Sequence, residues 1–130
     1  EVSKQIRIAN QKNLIEHVRL YKNFKPDDYI KILSKSLCII GNSSSGIRES
    51  SYLGVPCVNI GSRQKSREKS KNVINVGYSQ NKILYSINKQ IIHGKYKKNN
   101  LYGNGSASKK ICKIITSKKI PIEKKLNYLK

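Results

Sequence analysis

Acidic residues are scarce in this sequence. Its 130 residues include 7 Asp and Glu against 27 Lys and Arg, which leaves a formal net charge of +20. The carboxylates are Glu1, Glu16, Asp27, Asp28, Glu49, Glu68 and Glu123. Asp27 and Asp28 are explained by a helix that starts at Pro26, because acidic side chains favour the first turn of a helix. The sequence therefore offers no acid/base pair for general catalysis within this chain.

Cysteine is sparse as well, with Cys38, Cys57 and Cys112 odd in number and far apart. No CxxC pair and no His/Cys cluster is present, so the sequence predicts no metal site and no cofactor. Cys38 and Cys57 lie in apolar runs, as small buried hydrophobic residues do. We therefore expect a reduced, cytoplasmic compartment.

Long hydrophobic runs are also missing. The longest one, Leu37–Ile40, is far shorter than a membrane span. The first residues, Glu1–Lys4, lack the apolar segment of a signal peptide. We therefore predict no membrane association. The chain does not start with Met, which indicates a processed, truncated or excerpted product.

The excess of basic residues leaves two interpretations open. Strong positive charge first suggests a nucleic acid or another anionic surface. However, 22 of the 27 basic residues are Lys, and they are spread over the chain among many Asn and Ile residues. All three residue types have A/T-rich codons, so genome composition is the second interpretation of the charge. The most basic stretch, Lys109–Lys130, holds no Arg and only one aromatic residue, whereas nucleic-acid binders more often cluster Arg with exposed aromatics.

Hydrophobic periodicity predicts alternating helices and strands. The predicted helices are Val2–Asn10, Pro26 to about Ser36, Ile47–Leu53, Gln80 to about Ile92, and one that starts at Ser106 or Ser108 and continues through Ile115. The predicted strands are Val18–Tyr21, Leu37–Ile40, Pro56–Ile60 and Asn72–Val76. Such alternation with short connections indicates a single α/β domain over residues 1–130 with a parallel sheet, followed from about residue 117 by a basic tail.

Burial can be predicted from the same pattern. The strand Leu37–Ile40 should be covered on both faces. The second helix should bury Tyr29, Ile30, Ile32 and Leu33, and the fourth should bury Ile83, Leu84, Ile87 and Ile91. Gly54 directly follows the predicted helix Ile47–Leu53, at the position where a left-handed residue commonly ends a helix.

A loop of small residues, Gly41–Gly46, follows one predicted strand and precedes a helix. In open α/β sheets, ligands lie at the carboxyl ends of strands against helix N-termini, whose free N–H groups favour an anion such as phosphate. Small side chains allow a close approach, and the serine hydroxyls add donors. The loop matches neither GxGxxG nor GxxxxGK[ST]. Taken alone, it also fits a simpler interpretation, in which Ser45 caps the helix and Glu49 makes a capping-box-like contact.

A longer string of residues surrounds this loop. It comprises Gly41–Glu49, Tyr52–Gln64, Arg67-Glu68, Asn72–Ile74 and, more loosely, Tyr102–Ala107. From about Phe24 to Val76 the sequence resembles the hydrolysing UDP-N-acetylglucosamine 2-epimerases of the sialic-acid-pathway type. The resemblance implies two Rossmann-like domains in the glycosyltransferase-B arrangement with the active site between them. This chain would be the C-terminal, nucleotide-binding domain.

Carried over residue by residue, the resemblance implies a binding site for UDP. Ser43, Ser44 and the backbone of Ser45 and Gly46 would bind the diphosphate. Glu49 would accept hydrogen bonds from the ribose hydroxyls, a usual task of carboxylates in Rossmann-like sites.

Two further residues complete the implied site. Phe24 would lie by the uracil, and Arg63 would reach the ligand from the loop after the next strand. The alternatives are that Phe24 is a core or staple residue and that Arg63 is a solvated loop charge. Arg48 is interpreted as structural, because it points the other way round the helix from Glu49.

The implied reaction is anti elimination of UDP from UDP-N-acetylglucosamine, after which water adds and N-acetylmannosamine is released. The family's catalytic carboxylates and key histidine belong to its N-terminal half, and the segments around His17 and His93 do not match that histidine segment. We therefore expect a UDP-sugar as ligand, a missing N-terminal domain as partner, and no catalysis by this chain alone.

Several alternatives to this interpretation stay open. The chain could belong to another nucleotide-sugar epimerase or to a glycosyltransferase-B-type transferase. From a different class, it could be a basic nucleic-acid-binding module, although we predict that nucleic acid is not a partner. It could also be a degenerate remnant without a ligand. Formation of a homo-oligomer is left open.

Overall fold

The computed structural model describes residues 2–12 and 17–117. Its helices are α1 (Val2–Gln11), α2 (Pro26–Lys35), α3 (Glu49–Leu53), α4 (Gln80–His93) and α5 (Ala107–Ser117), and its strands are β1 (Ile39–Gly41), β2 (Cys57–Ile60) and β3 (Val73–Val76). A 3-10 turn, Ser44–Gly46, lies between β1 and α3. The predictions for Glu1, Glu16, Glu123 and the tail at 118–130 lie outside the described residues. Helices α1, α2, α4 and α5 are confirmed to within about two residues at each end.

The three strands form a parallel sheet in the order β1-β2-β3. Cys57 at the start of β2 is paired with Ile39 on one side and Val73 on the other, so β2 is the central strand. Helices flank this sheet, and the predicted α/β class with a parallel sheet is confirmed. Because parallel strands run the same way, the loops after β1 and β2 emerge at the same edge of the sheet.

The hydrophobic core is small and is centred on β2. Ile47, Val55, Cys57 and Val58 are at most 1% exposed, and Leu33 of α2 is nearly as buried. Each such side chain contributes roughly 1.5–3 kcal/mol through burial of apolar surface. The core therefore lies directly beneath the loop that joins β1 to α3.

The predicted strand Val18–Tyr21 is wrong. This segment is irregular, and Val18, Leu20 and Tyr21 are each more than half exposed. A strand needs a neighbour to pair its backbone groups, and in the described part of the chain the sheet ends at β1. The sequence pattern of Val18–Tyr21 therefore did not predict the structure of this segment.

Burial along α2 and β1 is less complete than predicted. Leu33 is buried and Tyr29 half-buried, but Ile30 and Ile32 are exposed. The strand begins at Ile39 rather than Leu37, and Ile40 is 49% exposed, so β1 is not covered on both faces. The reason is that three short strands offer too little surface to cover every apolar side chain of the elements beside them.

The inner face of α4 is also different from the prediction. Ile83 and Ile87 are half-buried, whereas Leu84 and Ile91 are exposed. The fully covered positions are polar, Ser86 and Gln90. Small or hydrogen-bonding side chains are favoured at these positions because the helix approaches the strand backbone closely there.

A buried polar network joins α4 to the strands. The Nε2 atom of Gln90 donates to the carbonyl oxygens of Cys57 (2.8 Å) and Asn72 (2.7 Å). The Nδ2 atom of Asn72 in turn donates to the Ser50 hydroxyl (2.9 Å) and to the carbonyl of Val55 (2.7 Å). Leaving such buried groups unpaired costs about 1–3 kcal/mol each. The network therefore holds α3, and with it the preceding loop, in a defined position over the sheet.

Gly54 ends α3 in the left-handed conformation, with φ of 68°. A Cβ atom at this position would overlap the carbonyl oxygen of Tyr96, so glycine is required on two counts. The predicted cap is confirmed. The same Tyr96 donates its backbone N–H to the carbonyl of Gly54 at 2.8 Å, which brings the segment after α4 against the end of α3.

Candidate functional site

The loop Gly41–Gly46 lies at the carboxyl end of β1, where the sequence predicted a site. The predicted helix Ile47–Leu53 is shorter in the structure, because Ser44–Gly46 form a 3-10 turn and α3 begins only at Glu49. The cap of this turn is Ser43, whose hydroxyl accepts a hydrogen bond from the backbone N–H of Ser45 at 3.3 Å. The N-cap of α3 itself is Arg48, without a side-chain hydrogen bond, so the simpler interpretation with Ser45 as the helix cap is wrong.

Most backbone donors of the turn are already used within it. The N–H of Gly46 donates to Ser43, and the N–H groups of Ile47 and Arg48 both donate to the carbonyl of Ser44. The α3 helix has five residues, so its dipole adds little positive potential. An anion at this loop would therefore depend strongly on serine hydroxyls as donors.

A hollow of about 270 Å³ opens beside this loop. It is lined by Ile39, Ile40, Gly41, Asn42, Ser43, Gly46 and Cys57. A Cβ atom on Gly46 would come within 2.9 Å of the Cys57 sulfur, so a larger residue would push into the core beneath the loop. Ser43 and Gly46, two of the predicted diphosphate-binding residues, thus share one opening.

Ser44 and Ser45 face different surroundings. Ser44 is half-buried, and Ser45 is only 9% exposed. The Ser45 hydroxyl accepts a hydrogen bond from the hydroxyl of Tyr29 in α2, with 2.7 Å between the oxygens. Tyr29 was predicted only as an apolar residue of α2, and its polar contact was missed.

Glu49 carries an incompletely satisfied carboxylate. Its Oε2 atom is buried and has no hydrogen-bond partner within residues 2–12 and 17–117. The side chain lines a groove of about 390 Å³ together with Ile30, Arg48, Tyr52, Leu53, Tyr102, Gly103 and Gly105. A buried carboxylate oxygen without a donor is costly, and a ligand hydroxyl would relieve that cost.

The groove beside Glu49 has aromatic walls. The Arg48 guanidinium lies 5.8 Å from the ring centre of Tyr102, and the Lys98 ammonium lies 3.6 Å from that of Tyr52. Cations over aromatic faces contribute about 0.5–1 kcal/mol at exposed sites. Arg48 thus contacts Tyr102, but it lines the same groove as Glu49 rather than pointing away from it, so its structural role stays a prediction.

Phe24 is half-buried and belongs to a row of aromatic rings. Its ring centre lies 4.7 Å from that of Tyr21 and 6.5 Å from that of Tyr29. Through Tyr29, this row continues to the hydroxyl of Ser45. Phe24 and the serine loop are thus connected through one side chain of α2.

Arg63 is exposed on the loop that follows β2. Its neighbour Gln64 is 3% exposed and donates from Nε2 to the carbonyl of Asn42 at 2.9 Å. This bond holds the backbone next to Arg63 beside the residue that precedes Ser43. Gln64 was not singled out from the sequence, because only the folded chain brings two residues 22 apart into contact.

Other kinds of site find no support in the described residues. Across residues 2–12 and 17–117, no group of three or more His, Cys, Asp or Glu residues could hold a metal ion. Nor is any helix in that part of the chain long and apolar enough to cross a membrane. Cys38, Cys57 and Cys112 are all free.

The parallel sheet, with a small-residue loop at the carboxyl end of β1 and a carboxylate just beyond it, defines a Rossmann-like α/β domain. Sequence comparison then gives the family. A family model for UDP-N-acetylglucosamine 2-epimerase matches residues 1–116. The chain belongs to this family, and the resemblance stated from its motifs is confirmed.

Similar proteins carry related names. A UDP-N,N'-diacetylbacillosamine 2-epimerase (hydrolyzing) of Legionella pneumophila is 36% identical over 114 residues, which cover 86% of this chain and 30% of that protein. A GDP/UDP-N,N'-diacetylbacillosamine 2-epimerase (hydrolyzing) of Campylobacter jejuni is 43% identical over 56 residues, covering 43% of this chain and 15% of that protein. A UDP-N-acetylglucosamine 2-epimerase of Neisseria meningitidis is 31% identical over 77 residues, covering 59% and 20%. The chain thus spans less than a third of the length of these relatives.

Proposed function

We propose that this chain is the C-terminal, UDP-binding part of a hydrolysing UDP-sugar 2-epimerase that acts on UDP-N-acetylglucosamine. The serine loop after β1 would bind the diphosphate, and Glu49 would bind the ribose. Phe24 would lie by the uracil and Arg63 would reach the ligand from the loop after β2. The expected location is the cytoplasm.

The observation that carries this proposal is the unpartnered Oε2 atom of Glu49 next to the serine turn. A carboxylate accepts hydrogen bonds and cannot donate them, so its natural ligand is a group with hydroxyls. The serine hydroxyls of the turn are donors and suit an anion. A nucleoside diphosphate offers both chemistries in one molecule, hydroxyls on the ribose and negative charge on the phosphates.

The proposal also holds that this chain binds nucleotide without converting the sugar. Asp27 and Asp28 are exposed in the first turn of α2, and Glu68 is exposed on the loop after β2. Glu49 is the described carboxylate that lines a groove, and we assign it to binding of the ribose. Proton transfer would therefore come from a second domain, across the carboxyl edge of the sheet. Loss of UDP would be favoured by donors that stabilise the departing diphosphate.

A second substrate is favoured by the comparisons. Two of the similar proteins, including the one whose match covers 86% of this chain, are named for UDP-N,N'-diacetylbacillosamine. Both candidate substrates are UDP-linked 2-acetamido sugars, so the nucleotide site would serve either. Assay of a full-length enzyme containing this chain on both UDP-sugars would decide between them, with release of the free 2-epimerised sugar as the readout. Transfer to an acceptor, or retention of the sugar on UDP, would contradict hydrolytic epimerisation.

Calorimetry with UDP tests the nucleotide site directly. We expect the Glu49→Ala variant to bind UDP roughly tenfold or more weakly, because a hydrogen bond to a charged group contributes about 1.5–3 kcal/mol. Glu68→Ala is the matched control, since it removes an exposed carboxylate and should leave the affinity unchanged. A folded wild-type chain that binds no UDP, or equal losses in the two variants, would refute the assignment. Binding of any polyanion that weakens with salt and ignores Glu49→Ala would instead support a nucleic-acid-binding module.

A further inference from the structure

Tyr29 holds a position between the two halves of the proposed nucleotide site. It lies in the first turn of α2, is half-buried, and its ring packs 6.5 Å from that of Phe24. Its hydroxyl lies 2.7 Å from that of Ser45, a residue 16 positions further along the chain. One side chain therefore contacts a residue assigned to the base and a residue assigned to the diphosphate.

The direction of this hydrogen bond follows from acidity. The Tyr29 hydroxyl donates and the Ser45 hydroxyl accepts, as expected because a phenol is a stronger hydrogen-bond donor than an aliphatic hydroxyl. A serine hydroxyl has one proton and two lone pairs. When one lone pair accepts from Tyr29, the Ser45 proton is left to be donated elsewhere. A hydroxyl that accepts a hydrogen bond also becomes a stronger donor, because chains of hydrogen bonds polarise one another.

Few other hydrogen-bond partners are available to the hydroxyl of Ser45. Ser45 is only 9% exposed, so few waters can satisfy its hydroxyl. Its backbone N–H is occupied by Ser43, and the next backbone N–H, that of Gly46, is occupied within the turn. The hydroxyl proton of Ser45 is thus a donor that the turn itself does not use.

We propose that Tyr29 is a positioning residue, whose hydroxyl orients and polarises the hydroxyl of Ser45 so that Ser45 donates to a phosphate oxygen of the nucleotide. This inference rests on the proposed function. It adds a residue outside the loop, and it predicts that a tyrosine hydroxyl affects phosphate binding without touching phosphate.

The test compares UDP with uridine, which lacks the phosphates. Both ligands are titrated into the full chain by NMR, with wild type and Tyr29→Phe, a substitution that removes only the hydroxyl. We expect the dissociation constant for UDP to rise roughly three- to tenfold, as for loss of one hydrogen bond, and that for uridine to stay unchanged. Because the UDP-to-uridine ratio is taken within each variant, any loss of folded protein cancels.

Two further variants separate positioning through Ser45 from other effects of the Tyr29 hydroxyl. In a Ser45→Ala background, adding Tyr29→Phe should change UDP affinity less than twofold, because the acceptor is already gone. Tyr85→Phe, at a tyrosine of α4 that is 68% exposed, is the matched control and should leave both ligands unaffected.

The outcomes distinguish the two proposals. Wild-type binding of UDP with an unchanged Tyr29→Phe variant overturns the positioning role alone. Equal losses for UDP and uridine overturn it, because the Tyr29 hydroxyl would then act on the nucleoside. Independent losses in the double variant also overturn it, because the hydroxyl would then act without Ser45. A folded wild type that binds no UDP overturns the proposed function and the positioning role together.

Discussion

Replacing Gln90 by leucine should test the buried network that supports the site. Gln90 is fully buried on α4, and its Nε2 atom donates to the carbonyls of Cys57 and Asn72 while its Oε1 atom accepts from the Tyr96 hydroxyl at 2.7 Å. Leucine has a similar volume and keeps the packing, so the substitution removes three hydrogen bonds with little change of shape.

The expected loss of stability depends on the hydrogen bonds that each former partner of Gln90 keeps in the variant. The carbonyl of Asn72 still accepts from the backbone N–H of Cys57 at 2.8 Å. The Tyr96 hydroxyl is only part-buried and can turn to water. The carbonyl of Cys57 in the central strand loses its side-chain donor, and for the three bonds together we expect a loss of about 1–3 kcal/mol. For a domain of this size, each kcal/mol of lost stability lowers the melting temperature by roughly 4 °C.

Urea unfolding followed by circular dichroism measures this loss of stability as a lower urea concentration at the midpoint of unfolding. Gln80→Leu, at an exposed position in the first turn of the same helix, is the matched control and should shift the midpoint little. An unchanged or higher midpoint for Gln90→Leu would refute the reasoning, because it would mean that apolar burial outweighs the three hydrogen bonds.

Two further predictions concern the core beneath the site. Gly54→Ala should destabilise the chain by about 2 kcal/mol or more, because φ is 68° and the new methyl group would overlap the Tyr96 carbonyl; Gly77→Ala, which meets no atom within 4 Å, is the control, and equal urea midpoints would contradict this. Burial raises the pKa of the Cys57 thiol from 9.0 to about 12, so iodoacetamide at pH 8 should label exposed Cys112 long before Cys57, as mass spectrometry would show. Because this pKa is higher in the folded state, ionisation of Cys57 opposes folding only as the pH rises from 9 towards 12.

The hydrogen bonds within the serine loop change which of its groups are expected to bind the diphosphate. From the sequence, its backbone N–H groups were expected to bind an anion. In the structure, the N–H groups of residues 45–48 are donated within the turn. The prediction that Ser43, Ser44, Ser45 and Gly46 bind diphosphate stays a prediction, but the emphasis moves from the backbone to the hydroxyls. The Tyr29–Ser45 contact is important for this reason, because it involves one of these hydroxyls.

Much of the fold was predictable because its signals are local. Pro26 with two acidic residues after it starts α2, Gly54 ends α3 in a left-handed conformation, and β2 is a compact apolar run. The parallel arrangement followed from the alternation of these elements. Burial was predicted less well, as at Ile30 and Leu84, because periodicity names the apolar face of a helix without saying how much of it is covered.

The sequence by itself determined the order of helices and strands from Pro26 onwards, the place of the serine loop and the family, because capping residues, apolar runs and a long ungapped motif act over a few neighbouring positions. Only the tertiary structure decided that Val18–Tyr21 is not a strand, that Gln90 joins β2 to α4, and that Tyr29 reaches Ser45. These outcomes depend on hydrogen bonds, made or lacking, between residues distant in the chain. No local pattern records them, since a hydroxyl or an amide has the same propensities whether or not a distant partner lies within 3 Å.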